Sequence, residues 1–168
     1  MRSGLALLIA SLHAQDLYMG SELVLLRFYK GFYPPILAAG AMGGLSRELY
    51  RSGESYKLIG WGEAKLFYLI GASRLPLSLG AAAGMAARAE IPSRARYYAQ
   101  IGLGLDGYTL RFTDGGNNTL TDRQLRPILS VEIGSSTLVD GIFLRYSFYP
   151  TPGTTLKSVL TFGSYIGE

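Results

Sequence analysis

Between residues 75 and 91 the chain alternates strictly. Leu75, Leu77, Leu79, Ala81, Ala83, Met85, Ala87, Ala89 and Ile91 hold the odd positions, and Pro76, Ser78, Gly80, Ala82, Gly84, Ala86, Arg88 and Glu90 the even ones. Successive side chains of a strand point to opposite faces, so this pattern predicts a strand with one greasy face and one small or polar face. The same period recurs further on. Tyr97, Ala99, Ile101, Leu103 and Leu105 alternate with Tyr98, Gln100, Gly102, Gly104 and Asp106, and Leu129, Val131 and Ile133 with Ser130, Glu132 and Gly134. Leu138, Ile142, Leu144, Tyr146 and Phe148 alternate with Gly141, Phe143, Arg145, Ser147 and Tyr149, and Asp140 falls on the apolar row at a strand end.

Eight strands are predicted, near 22–30, 35–49, 55–69, 75–91, 96–112, 124–134, 138–149 and 157–167. Turn-forming residues separate them: Tyr33-Pro34-Pro35, Arg51-Ser52-Gly53-Glu54, Gly71-Ala72-Ser73-Arg74, Pro92-Ser93-Arg94, the long stretch Thr113–Asp122, Gly134-Ser135-Ser136 and Pro150-Thr151-Pro152-Gly153. At Asp106-Gly107 the alternation changes phase and resumes at Tyr108, Leu110 and Phe112, which predicts a bulge rather than a type I′ hairpin.

Alternation alone leaves the facing open. On the third strand Tyr56, Leu58, Gly60, Gly62, Ala64, Leu66 and Tyr68 form one row, and Lys57, Ile59, Trp61, Glu63, Lys65 and Phe67 the other. A soluble barrel turns the apolar row inward; a membrane barrel turns it outward. Three features favour the membrane. Several strands exceed the ~9–11 residues needed to cross at a tilt. Tyrosines stand near strand ends (Tyr50, Tyr56, Tyr68, Tyr97, Tyr108, Tyr146, Tyr149 and Tyr165), as in aromatic girdles; Tyr56, Tyr68, Tyr97 and Tyr146 are taken as the interfacial set. The long 113–122 connection and the tight Gly134-Ser135-Ser136 turn fit long outer loops and short inner turns.

The start of the chain reads as an export signal. Met1-Arg2-Ser3 is a short basic start, Gly4–Leu12 is an apolar run too short to span a bilayer, and Ala14 is a small residue suited to cleavage behind it. Residues 1–14 are thus the expected signal peptide and 15–168 the barrel domain. With this signal and these strands the chain resembles the small eight-stranded outer-membrane barrels of Gram-negative bacteria. The resemblance implies an all-β, antiparallel, up-and-down transmembrane barrel in the outer membrane. It implies contact with membrane lipid and lipopolysaccharide and insertion by the outer-membrane assembly machinery.

Composition narrows the chemistry. Charged residues are 17%, below the ~25% of soluble domains, and there are 22 glycines. The net charge is +4, falling to +3 without Arg2, and the basic residues form no run, which argues against nucleic acid as a partner. The chain has no cysteine, and its one histidine, His13, lies in the expected signal. The mature chain therefore lacks Ser-His-Asp, Cys-His and histidine metal chemistry. The enzymatic barrels among those it resembles rely on histidine, so a non-enzymatic role without metal or cofactor is expected.

Other motifs carry little. Gly102-Leu103-Gly104-Leu105-Asp106-Gly107 matches G-x-G-x-x-G, but it lies inside a strand and opens no helix. Gly80–Gly84 matches the G-x-x-x-G of membrane helices, but Pro76, Arg88 and Glu90 bracket it closely. Asp114, Asn117, Asn118 and Asp122 lack calcium-loop spacing. The polar rows, by contrast, carry Glu63, Lys65, Arg88, Glu90, Arg111, Glu132 and Arg145, with Asp106 beside the expected bulge. Charges inside a barrel must pair. The expected arrangement is a lumen-lining salt-bridge network that plugs an eight-stranded barrel, with small inward residues on strands four and five facing large ones such as Trp61, Phe67, Phe143 and Tyr149. The expected function is structural or surface-interacting, with 113–122 as a contact for an extracellular ligand and at most narrow solute passage. The alternative is a soluble, lipocalin-like exported barrel with Leu77, Leu79, Ile101 and Leu103 buried around an apolar ligand.

Overall fold

The computed structural model describes residues 15–26, 36–69, 77–91, 93, 96–113, 119–136, 140–151 and 156–166. The expected signal, 1–14, lies outside them, as do Arg74, Asp114, Asn117 and Asn118. Among the described residues there are eight strands: β1 (Gln15–Leu26), β2 (Ile36–Ser52), β3 (Tyr56–Leu69), β4 (Leu77–Glu90), β5 (Tyr97–Thr113), β6 (Thr119–Ser136), β7 (Asp140–Phe148) and β8 (Leu156–Ile166). Each pairs antiparallel with the next, and β8 pairs with β1 to close the barrel. Closure gives every strand two partners and leaves no edge. The connections at one end are residues 53–55, 91–96 and 137–139. Those at the other are 27–35, 70–76, 114–118 and 149–155, the longer set.

The facing is that of a membrane barrel. Leu79, Ile101 and Leu103 are 60%, 68% and 60% exposed on the outer wall, whereas Glu63, Lys65, Arg88 and Arg145 are buried within. This is the reverse of the lipocalin-like arrangement. Among the described residues no helix is long and apolar enough to cross a membrane; the crossing elements are strands. Gly80–Gly84 lies in β4 and the G-x-G-x-x-G stretch in β5, so neither motif opens or forms a helix.

The interior is built in layers. One apolar cluster joins Val24, Ala38, Phe67, Tyr108, Ile128, Tyr149 and Val159, and a second joins Tyr18, Met42, Tyr98 and Phe143. Large rings lie against inward glycines. A Cβ at Gly104 would come within 2.9 Å of Trp61 Cζ2, and one at Gly134 within 2.6 Å of Tyr98 Cζ. At Gly104 and Gly134 the rings are seated because the missing Cβ leaves room.

Three expectations are corrected. The β5 ladders with β4 and β6 run without a register shift through Asp106 and Gly107, so there is neither bulge nor hairpin there. The phase break was an effect of Tyr108, which reads as part of an apolar outer row but is buried in the lumen beside Tyr149. The real irregularities lie between Glu48 and Tyr50 and between Leu25 and Leu26. Second, β1 begins at Gln15 rather than near 22, and β6 at Thr119 rather than 124. Polar residues on outward rows (Ser21; Thr121 and Arg123) interrupt the alternation there. The 113–122 loop shrinks accordingly, and Asp122 sits in β6. Third, Tyr108 and Tyr149 are buried, and Tyr165 packs against a buried cluster, so these three are not girdle residues.

Candidate functional site

Two inward residues of β3 anchor the interior. Glu63 and Lys65 are two apart on one strand and so share its face. Lys65 Nζ lies 3.1 Å from Glu63 Oε1 and 2.8 Å from Asp106 Oδ2 across the lumen. Glu63 Oε2 in turn accepts from Arg145 Nη1 at 2.6 Å, and Arg145 Nε donates to Glu132 Oε2 at 2.6 Å. Glu132 and Arg145 are register partners on β6 and β7, so their pairing follows from the hairpin. Glu63 and Arg145 are 82 residues apart and meet only because the barrel closes.

Tyrosines add donors to these carboxylates, while the buried Asp106 Oδ1 accepts no hydrogen bond among the described residues. Tyr18 donates to Glu63 Oε2 at 3.1 Å, and Tyr98 and Tyr165 donate to Glu132 Oε1 at 2.7 and 3.2 Å. Tyr149 donates to Asp106 Oδ2. Arg88 continues the chain: its Nη2 donates to the Tyr165 hydroxyl at 2.8 Å, its Nε to Gln100 Oε1 at 2.9 Å, and its guanidinium sits 4.1 Å from the Tyr98 ring centroid. An unbroken line thus runs from Asp106 through Lys65, Glu63, Arg145 and Glu132 to Arg88. Its last step, from Glu132 to Arg88, runs through the Tyr165 hydroxyl, and its six charged members come from five strands, β3 to β7. Burying single charges is costly, and the alternation of sign with added hydroxyl donors offsets that cost.

Of the seven charged residues expected to line the lumen, Glu63, Lys65, Arg88, Glu132 and Arg145 converge in this network. Glu90 belongs to a separate rim group, where Lys57 lies 2.6 Å from Glu90 and 3.8 Å from Glu48, and Arg51 lies 2.7 Å from Glu48. Arg111 is exposed on the outer wall. The expected bulge would have turned it inward; with regular register, odd positions of β5 stay outside. Tyr56, Tyr68, Tyr97 and Tyr146 all face outward, at 63%, 43%, 56% and 49% exposure.

Sequence reasoning missed Tyr18 and Glu22. Their signal is the alternation of Asp16, Tyr18, Gly20, Glu22 and Val24 with Leu17, Met19, Ser21, Leu23 and Leu25, which Ser21 interrupts on the outer side. Glu22 is buried, with Oε1 3.5 Å from the Thr161 hydroxyl. Chemically the network is a set of charges that pair with one another. Among the described residues no three His, Cys, Asp or Glu side chains converge as a metal site.

No known protein-family profile and no curated protein matches this sequence. Solved structures do match. Ail, the attachment invasion locus protein of Yersinia pestis, superposes with TM-score 0.59 at 11% identity, over 90% of this chain and 96% of that one; it has also been solved with the heparin analogue sucrose octasulfate. The outer membrane enzyme PagL gives TM-score 0.60 at 11% identity, over 90% of this chain and 99% of that one. Neisserial surface protein A gives 0.55 at 13% identity, over 92% and 97%. At such identities the likeness is one of fold, and the fold is that of the small eight-stranded barrels of the bacterial outer membrane.

Proposed function

We propose that this chain is a non-enzymatic barrel of the bacterial outer membrane, exported with loss of residues 1–14. Its lumen is mostly closed by its own side chains. Its role is in envelope structure or surface interaction, with at most narrow passage of small solutes. The observation that carries this reading is the inverted facing: a line of paired charges inside, and leucines, isoleucines and alanines outside. The fold shared with outer-membrane proteins supports the location. PagL shows that the fold also hosts an enzyme. Here the proposed mature chain contains neither histidine nor cysteine, and Glu63, Asp106 and Glu132 are engaged by cations and tyrosines. The outer wall would meet lipid and lipopolysaccharide, the assembly machinery would insert the barrel, and the 113–122 region would present the extracellular contact.

Cell fractionation with a heat-modifiability gel tests the location. We expect recovery in the outer membrane and a boiled-versus-unboiled mobility difference; recovery in the soluble periplasm would overturn the reading. Swelling of vesicles containing the purified barrel tests closure. Little or no sugar entry is expected, and porin-like swelling would refute a closed lumen. Turnover of lipid by the purified protein would refute the non-enzymatic role.

A further inference from the structure

On the outer wall, where β4, β5 and β6 lie side by side, there is a depression of about 610 Å³. Two register rows form it. Leu79, Thr109 and Arg123 are one, and Ala81, Gly107 and Leu125 the next. The second row continues through Ala64 on β3 to Gly43 on β2, so four adjacent strands present only hydrogen or methyl side groups. Leu79 and Leu125 stand 60% and 67% exposed along the depression. The result is an apolar furrow with a narrow floor.

The furrow sits where the outer wall changes character. On β5 the outward row is Ala99, Ile101, Leu103, Leu105 and Gly107, then Thr109 and Arg111; on β6 it is Thr121 and Arg123, then Leu125, Pro127 and Leu129. From Tyr97 to Thr109 a tilted strand rises roughly 30 Å, close to the height of an apolar band. Arg111 and Arg123 therefore stand at its upper edge. Arg111 pairs with Thr121 and Arg123 with Thr109, so the two arginines are diagonal neighbours on adjacent strands. Diagonal positions lie roughly 7–8 Å apart, within reach of one anion for two long side chains. This end of the barrel carries the longer connections, which places it on the cell exterior.

Resting on the membrane placement proposed above, we infer that this furrow binds a phosphorylated glycolipid of the outer leaflet. One acyl chain lies over Gly107 and Ala81, and a phosphomonoester is held between Arg111 and Arg123. A phosphomonoester carries about −1.5 to −2 charges, and guanidinium groups match its oxygens in a paired geometry. The apolar floor and the cationic edge are adjacent, as the two ends of such a lipid require.

Native mass spectrometry of the detergent-purified barrel with diphosphoryl lipid A tests this. We expect retained lipid A, with retention at least about tenfold weaker for the Arg111→Gln/Arg123→Gln variant. Gly107→Leu, with both arginines intact, is expected to weaken it similarly by filling the furrow. A Cβ at Gly107 meets nothing nearer than Leu125 Cδ1 at 3.5 Å, so this variant is compatible with the backbone. Both variants should keep the heat-modifiable band, which separates lost binding from lost folding. Equal retention of dephosphorylated lipid A or of phosphatidylglycerol would overturn the inference, as would wild-type retention by either variant. A protein soluble without detergent would instead overturn the membrane placement itself.

Discussion

Replacing Arg145 by alanine removes the cation that joins Glu63 to Glu132 in the lumen. Its guanidinium lies 2.6 Å from both Glu63 Oε2 and Glu132 Oε2 and within 5.4 Å of the ring centroids of Tyr18 and Phe143. After truncation Glu63 keeps Lys65 and the Tyr18 hydroxyl, while Glu132 keeps only the hydroxyls of Tyr98 and Tyr165. Glu132, which is fully buried, is then a desolvated anion without a cation. Breaking a buried pair in this way costs about 3–5 kcal/mol. Against a total stability of about 5–15 kcal/mol that is a large loss. Urea unfolding of the barrel in lipid vesicles, followed by Trp61 fluorescence and the gel shift, measures it. Arg145→Lys should fall between, because an ammonium lacks the fork that reaches both carboxylates. The Glu132→Gln/Arg145→Met pair should lose less than Arg145→Ala, because Glu132 no longer stands as a buried anion without a cation. A loss below about 1 kcal/mol for Arg145→Ala would refute the reasoning, since that is the value of a solvated surface pair and would mean a water-filled lumen.

Other consequences are more local. Leu103→Arg should cost about 2–4 kcal/mol in vesicles if Leu103 faces lipid near the mid-plane, whereas a similarly exposed site on a soluble protein would change stability by about 0.5 kcal/mol or less; the same urea titration decides. Gly104→Ala should destabilise by about 1–3 kcal/mol, because its Cβ would meet Trp61 and the Ala83 carbonyl, while Gly107→Ala should leave the unfolding midpoint nearly unchanged. Tyr98→Phe removes a 2.7 Å hydrogen bond to buried Glu132 and should cost about 1.5–3 kcal/mol by the same measurement.

Much of the fold was legible in the residues because strand period is a local property. The alternation along β3, β4 and β7 placed Glu63, Lys65, Arg88 and Arg145 on one set of faces, and all four converge in the lumen. The errors have one physical source, which is that tyrosine and polar residues suit both sides of such a wall. Tyr108 reads as outer because it is aromatic and is inner because its hydroxyl finds Gln124 at 2.9 Å. That single ambiguity shifted the phase of β5 and carried Arg111 to the wrong face. Thr121 and Arg123 read as loop because an outward row that rises past the apolar band is polar.

By itself the sequence determined the number of strands, the approximate bounds of all but β1 and β6 and, outside the 107–112 stretch, which residues share a face, since each depends only on neighbours one or two positions apart. It also determined that residues 15–168 have neither histidine nor cysteine to work with. Which face turned inward, and which charges met, was decided by closure. Glu63 and Arg145, or Lys65 and Asp106, are brought together by the curvature of eight paired strands around a narrow lumen. No local pattern encodes a contact across that lumen, because it depends on the register of every ladder between the two strands.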